Sequence, residues 1–148
     1  MTRVELTEKI IDCKRRKELT WHGIASKLGP ASVFYYTSAL LGQNRLDKKE
    51  AEAAARILGL SKEESLLLQE PAYRGCLPTT IPTDPLIYRF FEIALTYGTT
   101  CKALIHEEFG EGIMSAIDFD MHIERQPDKK GDRVRVTMSG KFLPYKKF

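Results

Sequence analysis

The chain has little of what would tie it to a metal, an oxidising compartment or a membrane. Among its 148 residues there are three cysteines, at positions 13, 76 and 101. They are odd in number, widely spaced and form no CxxC pair. That pattern argues against paired disulfides and structural zinc, and for a reducing compartment. Three histidines, His22, His106 and His122, fall in three separate stretches without ligand spacing. No metal is expected from them, and His106 with Glu107 reads as solvated. No apolar run approaches the roughly 18 residues that a membrane span requires. The opening MTRVELTEKIIDCKRRKEL lacks the unbroken apolar segment of a secretory signal. A cytoplasmic protein is therefore the expectation. An excess of one charge is missing too. The formal net charge of +3 suits a small anionic ligand without calling for nucleic acid.

What is present is an ordinary globular composition, 43% hydrophobic and 29% charged. The order of elements points to an α+β chain. Thr2 and Glu5 form a capping box ahead of Leu6, Ile10 and Cys13 at helical spacing. Lys14, Arg15, Arg16 and Lys17 then close that helix as cations suited to its C-terminal dipole. Thr20 caps WHGIASKL, which Gly29 is placed to end in a left-handed conformation. A third helix is expected over Ala31–Leu41, before Gly42. Asp47 caps Lys48–Leu58, with a close-packing face of Ala51, Ala54, Ala55 and Leu58, and Gly59 stops it. Ser61 and Glu64 form a second capping box. Residues 1–70 thus read as a five-helix bundle.

Within that bundle, Trp21–Leu41 resembles a helix-turn-helix. Base readout needs Arg, Lys, Asn or Gln near the start of the second helix. PASVFYYTSALL offers none, so no DNA reading is expected, and Val33, Phe34, Tyr35 and Tyr36 look like protein-contact surface. Residues 71–84 form a linker in which Pro71, Pro78 and Pro82 exclude a continuous helix. Its Arg74 is a cation without an assigned role.

Residues 85–148 make the C-terminal domain. Asp84-Pro85 pairs an N-cap with proline at the first helical position. A helix is predicted from there to about Tyr97, broken at Gly98. Thr99 or Thr100 would cap a second one, CKALIHEEF, ended by Gly110. Gly112 would allow a further turn before Ile113-Met114-Ser115. From Ile117 the pattern alternates: Ile117, Phe119, Met121 and Ile123 are apolar, the residues between them are not. QPDKKGD is a hairpin loop, Val134, Val136 and Met138 lie on the returning strand, and Ser139-Gly140 would turn into KFLPYKKF. An isolated hairpin is marginal in water. Its apolar face and the helical stripe of Ile87, Phe90, Phe91, Ala94 and Leu95 therefore call for an interlocked homodimer or a larger assembly.

Arg89 and Glu92 are three apart, so they share a helical face. A surface ion pair is the ordinary outcome of that spacing. Here the two interrupt a mostly apolar helix that assembly would cover, and a buried guanidinium must be paired or hold a ligand. Its planar fork suits carboxylate-like anions. Ser115 has no neighbouring His or Asp to make it a nucleophile, and fits a hydrogen-bond donor to an anion better. Cys101 reads as a buried structural thiol.

Taken with these residues, several segments resemble the cyanase (cyanate hydratase, cyanate lyase) family. They are LLGQ (Leu40–Gln43), SLLLQ (Ser65–Gln69), RGC (Arg74–Cys76), IPTDP (Ile81–Pro85) and YRFFE (Tyr88–Glu92). YGTT-KALIHE-FG (Tyr97–Gly110), GI-SAI-F (Gly112–Phe119) and GKFLP (Gly140–Pro144) come next in order. The resemblance covers essentially the whole chain. It implies an N-terminal helical bundle without DNA binding and a C-terminal domain that interlocks two subunits. It further implies a homodecamer of five dimers with active sites between dimers. The implied reaction takes cyanate and bicarbonate to carbamate and carbon dioxide, with carbamate then giving ammonia and a second carbon dioxide. The family's catalytic arginine, glutamate and serine fall on Arg89, Glu92 and Ser115. Bicarbonate is a co-substrate, and neither cofactor nor metal is implied. Phe91 departs from members with Tyr there, which removes a hydroxyl near the site. The tail Tyr145-Lys146-Lys147-Phe148 departs as well, which touches substrate access. Two other readings are a helix-turn-helix regulator that does not read DNA, built on Trp21–Leu41, and a non-catalytic oligomeric scaffold.

Overall fold

The computed structural model describes residues 1–72 and 80–147. Arg74, Cys76, Pro78 and Phe148 lie outside the described residues, and with them the expectations placed on those positions. Among the described residues, six helices and two strands run in the order α1 (Arg3–Arg16), α2 (Trp21–Ala25), α3 (Val33–Leu40), α4 (Lys48–Leu58), α5 (Lys62–Leu67), α6 (Pro85–Phe109), β1 (Gly112–Gln126) and β2 (Arg133–Pro144). The strands pair as a two-stranded sheet. The fold is mixed: helices plus one small antiparallel sheet.

Helix starts follow local chemistry closely. Thr2, Asp47 and Ser61 each accept the amide of the residue three on, while Glu5, Glu50 and Glu64 reach back to the cap amide. Each arrangement satisfies two donors that the first helical turn leaves open. Gly59 ends α4 with φ 76°, in the left-handed region that favours glycine.

Four expectations are corrected. Gly29 does not take a left-handed conformation, and α2 stops earlier, at Ala25, with Ser26 as its C-cap. The Ser26 hydroxyl donates to the Gly23 carbonyl, 3.1 Å away, so a side chain competes for the helix's own acceptor. Gly29 is instead small because a Cβ there would strike the Tyr36 hydroxyl. Helix α3 begins at Val33 rather than Ala31, because the Ser32 side chain caps it by accepting the Tyr35 amide. The predicted break at Gly98 is absent: α6 is one helix of 25 residues. Glycine within a helix costs only about 1 kcal/mol, which a continuous ladder of hydrogen bonds outweighs. Finally, β1 starts at Gly112 and β2 continues to Pro144. Gly112 and Gly140 are close-approach glycines, not turn glycines. A Cβ on Gly140 would strike the Ser115 carbonyl, and one on Gly112 the Leu143 carbonyl and the Phe142 ring.

The chain divides into two compact units, Met1–Cys76 with His122–Thr137, and Leu77–Met121 with Met138–Phe148. In the first unit Leu6, Ile10, Ile24, Tyr36, Leu40, Leu46, Leu58 and Leu68 are fully buried in one core shared by α1, α2, α3 and α4. Tyr36 carries its polar end into that core with both roles filled. Its hydroxyl accepts from the Ala31 amide and donates to Glu50 at 2.8 Å.

Lys9 and Glu64 tie α1 to α5 across the same unit at 2.6 Å. The Lys9 hydrogen bond, reinforced by the Ser61 amide, holds the Glu64 carboxyl below its ordinary value of 4.5. A depressed carboxyl contributes stability that is complete above its unfolded pKa and is lost as pH falls through its folded one. Urea midpoints of wild type should therefore decline as pH drops below about 4.5. Glu64→Gln should flatten that part of the decline, and an unchanged slope would contradict the linkage.

The second unit has almost no interior. No residue of α6 is buried, and among the described residues of this unit only Gly112 and Ser115 are. Leu86, Ile93, Leu95, Leu104 and Ile117 are all exposed, Ile117 at 85%. Cys101 is exposed as well, contrary to the buried thiol expected, because α6 finds no cover within its own chain.

Candidate active site

The site candidates begin one turn into α6. Asp84 Oδ1 accepts the amides of Leu86 and Ile87, each at 2.9 Å, and Pro85 occupies the first helical turn where no amide is needed. That anchor fixes the phase of the helix and so the direction of the next residues. Arg89 comes next. Its Nε donates to the Pro85 carbonyl at 3.2 Å, and its Nη1 lies 3.0 Å from Glu92 Oε2. The guanidinium also sits 5.2 Å from the Tyr88 ring centroid. Three partners thus orient one planar cation, and its remaining N–H donors have no partner among the described residues. In the single chain Arg89 and Glu92 are 57% and 48% exposed.

Ser115 sits on β1 and is 7% exposed. Its Oγ accepts the amides of Ile117 at 3.0 Å and Asp118 at 2.9 Å. The start of β1 is held from both sides. His106, in the last turn of α6, is 3.1 Å from the Gly112 carbonyl through Nε2. Phe109 and Phe142 pack with ring centroids 5.3 Å apart, and the Tyr145 amide donates to the Glu111 carbonyl. His106 is thus half-buried and bonded, not solvated as its sequence context implied. The signal for it was the six-residue separation from Gly112, which has meaning only once a helix end and a strand start meet there.

The structure brings Arg89 and Glu92 together as an ion pair. It does not join Ser115 to either: among the described residues no hydrogen bond connects them. None of the three lines the larger clefts of the N-terminal unit, such as the one of about 720 Å³ between Trp21, Phe34, His22 and His122. Among the described residues no group of His, Cys, Asp and Glu could hold a metal ion. No helix there is long and apolar enough to cross a membrane.

Two family models match the chain: the N-terminal domain of cyanate hydratase over residues 3–70, and the C-terminal domain of cyanate lyase over residues 79–147. The chain belongs to the cyanate hydratase family. Full-length relatives agree with this. The cyanate hydratases of Ralstonia pickettii and of a Polaromonas species are each 57% identical over 148 residues, covering all of both chains. A crystal structure of cyanase from T. urticae superimposes with a TM-score of 0.78 at 40% identity. That match covers 94% of this chain and 96% of the other. For a cyanate hydratase family member, the short helices before residue 70 and the α6–β1–β2 segment are the two parts the family models divide.

Proposed function

We propose that this protein catalyses the bicarbonate-dependent decomposition of cyanate. The observation that carries the reading is the match to cyanate hydratases over all 148 residues of both chains. The oriented but open guanidinium of Arg89 is what such chemistry requires. Both reactants are anions. A bicarbonate oxygen attacks the cyanate carbon, and the cyanate nitrogen gains bicarbonate's proton and one from solvent. Cleavage between the bicarbonate carbon and the attacking oxygen releases carbon dioxide and leaves carbamate, which takes up a proton and gives ammonia and a second carbon dioxide. Holding two anions in contact needs fixed positive charge and oriented donors where water is scarce.

Arg89 binds the anions and stabilises the charge of their adduct. Glu92 stands behind Arg89 and fixes its fork, so that its own charge is spent on the guanidinium. Ser115 donates a hydrogen bond to the adduct. These groups suffice for the reaction without a metal or organic cofactor, and bicarbonate is a co-substrate.

The exposed apolar faces of α6 and the sheet support assembly as an interlocked dimer, and five dimers as a decamer. Contiguous exposed apolar surface of this kind marks an association site. On this reading the active sites lie between dimers, where Arg89 and Ser115 of different chains face one substrate, and assembly is a condition of catalysis. The protein works in the cytoplasm, on small anions and without nucleic acid. The deciding test is ammonia release from cyanate with and without bicarbonate.

A further inference from the structure

The Arg89 guanidinium is held at two points on its rim and at one on its face. On the rim, Nε donates to the Pro85 carbonyl at 3.2 Å and Nη1 lies 3.0 Å from Glu92 Oε2. The N–H groups of a guanidinium all point outward in its plane, so two rim contacts leave the plane free to tilt about the line that joins them. The face contact removes that freedom. It comes from Tyr88, whose ring centroid lies 5.2 Å from the guanidinium carbon, within the range of roughly 6 Å over which a cation is drawn to an aromatic face. Successive residues of a helix do not ordinarily face each other. Here the bond to Pro85, one turn back, draws Arg89 across the ring. Tyr88 is itself supported: its ring packs on Phe91 with centroids 6.0 Å apart. It is half-buried, whereas the Arg89 side chain is 57% exposed, so the ring is the better anchored of the two. The Tyr88 hydroxyl has no hydrogen-bond partner among the described residues, which leaves the ring face as its working part.

We infer that Tyr88 is a positioning residue for the proposed reaction. Its ring, backed by Phe91, sets the plane of Arg89 and so the direction in which the remaining N–H groups meet the anions. This rests on the role proposed for Arg89. The two things Arg89 does there differ in how far they need that plane. Attraction of an anion to the charge depends on distance and hardly on tilt. A hydrogen bond to the charge developing in the adduct is directional and weakens steeply as it bends. Loss of the ring therefore falls on kcat rather than on KM. Phe91 takes on a definite part as well. What it supplies is a ring against Tyr88, which a tyrosine there would supply equally, so the hydroxyl it lacks does not bear on Arg89.

The test compares wild type with Tyr88→Leu, Tyr88→Phe and Phe91→Leu in cyanate turnover at saturating bicarbonate, in assembly size by light scattering and in crystal structures of wild type and Tyr88→Leu. Tyr88→Leu, which keeps apolar bulk but no aromatic face, should lower kcat about tenfold and leave KM for cyanate within about threefold, with assembly unchanged. Tyr88→Phe keeps the face and should recover kcat to within about twofold of wild type. Phe91→Leu leaves Tyr88 in place but unbacked, and should show the same split at about fivefold, so the inference is tested even where Tyr88→Leu does not fold. The Arg89 plane should be turned in the Tyr88→Leu crystal structure. Wild-type kcat in Tyr88→Leu, Tyr88→Phe as impaired as Tyr88→Leu, a loss in Phe91→Leu that appears in KM alone, or a smaller assembly accompanying each loss would overturn the inference. Wild type without turnover would defeat the proposed reaction instead, and the tilt of Arg89 in the two crystal structures would still decide what Tyr88 does: an unmoved guanidinium would overturn its role.

Discussion

Arg89→Leu is expected to lower cyanate turnover by about 10³-fold or more while leaving the fold intact. The size follows from the role. Removing one well-placed donor from a site that stabilises developing negative charge typically costs about 10²–10³-fold, and Arg89 supplies a charge as well as donors. The intact fold follows from exposure. The Arg89–Glu92 contact is a half-exposed pair within one helix, and such pairs contribute less than about 1 kcal/mol. Circular dichroism and thermal midpoint should therefore be nearly unchanged as activity disappears. Arg89→Lys should recover only part of the loss, because an ammonium keeps the charge but not the planar fork. Full activity in Arg89→Leu would remove Arg89 from the mechanism.

The second large effect concerns surface that does nothing for the single chain. Leu86, Ile93 and Leu104 are seven and eleven residues apart, close to two and three helical turns, so they form one stripe along α6. All three are exposed in the chain. The double variant Ile93→Asp with Leu104→Asp should leave helix content unchanged and break the assembly. Each leucine or isoleucine covered by a partner contributes roughly 1.5–3 kcal/mol, and each buried unpaired carboxylate costs more than that. In a symmetric complex the change is repeated in every subunit. Light scattering should report a smaller species, and turnover should fall about 10²-fold or more if, as proposed, Arg89 works with the Ser115 of a facing chain. A variant that is monomeric yet fully active would show that one chain holds a complete site.

How much of this was legible in the residues depended on how local the cause was. The caps at Thr2, Asp47 and Ser61 and the stop at Gly59 were readable, because each is settled within four residues. The ion pair of Arg89 with Glu92 was readable for the same reason. Four glycines were not: Gly29, whose smallness is set by the Tyr36 hydroxyl, and three in the C-terminal unit. Gly98 looked like a helix end, but nothing in the sequence weighs its small penalty against a ladder that continues on both sides. Gly112 and Gly140 looked like turns, whereas both are small because another strand's backbone passes close by. That reason lies about 30 residues away along the chain. The bond of His106 to Gly112 was hidden for another reason: it spans only six residues, but forms where the end of α6 meets the start of β1. That Ser115 is packed was readable from its small and apolar neighbours. Only the structure revealed why its acceptor capacity is spent, since the amides of Ile117 and Asp118 had to be seen turning back onto it.

The proposed reaction is tested most directly by ammonia release from ¹³C-cyanate with the assembled wild-type protein, in carbon-dioxide-free buffer and again with unlabelled bicarbonate added. The predicted result is turnover only with bicarbonate, with the label in carbamate and the first carbon dioxide unlabelled. Ammonia released equally well without bicarbonate, or none released in either case, would contradict it.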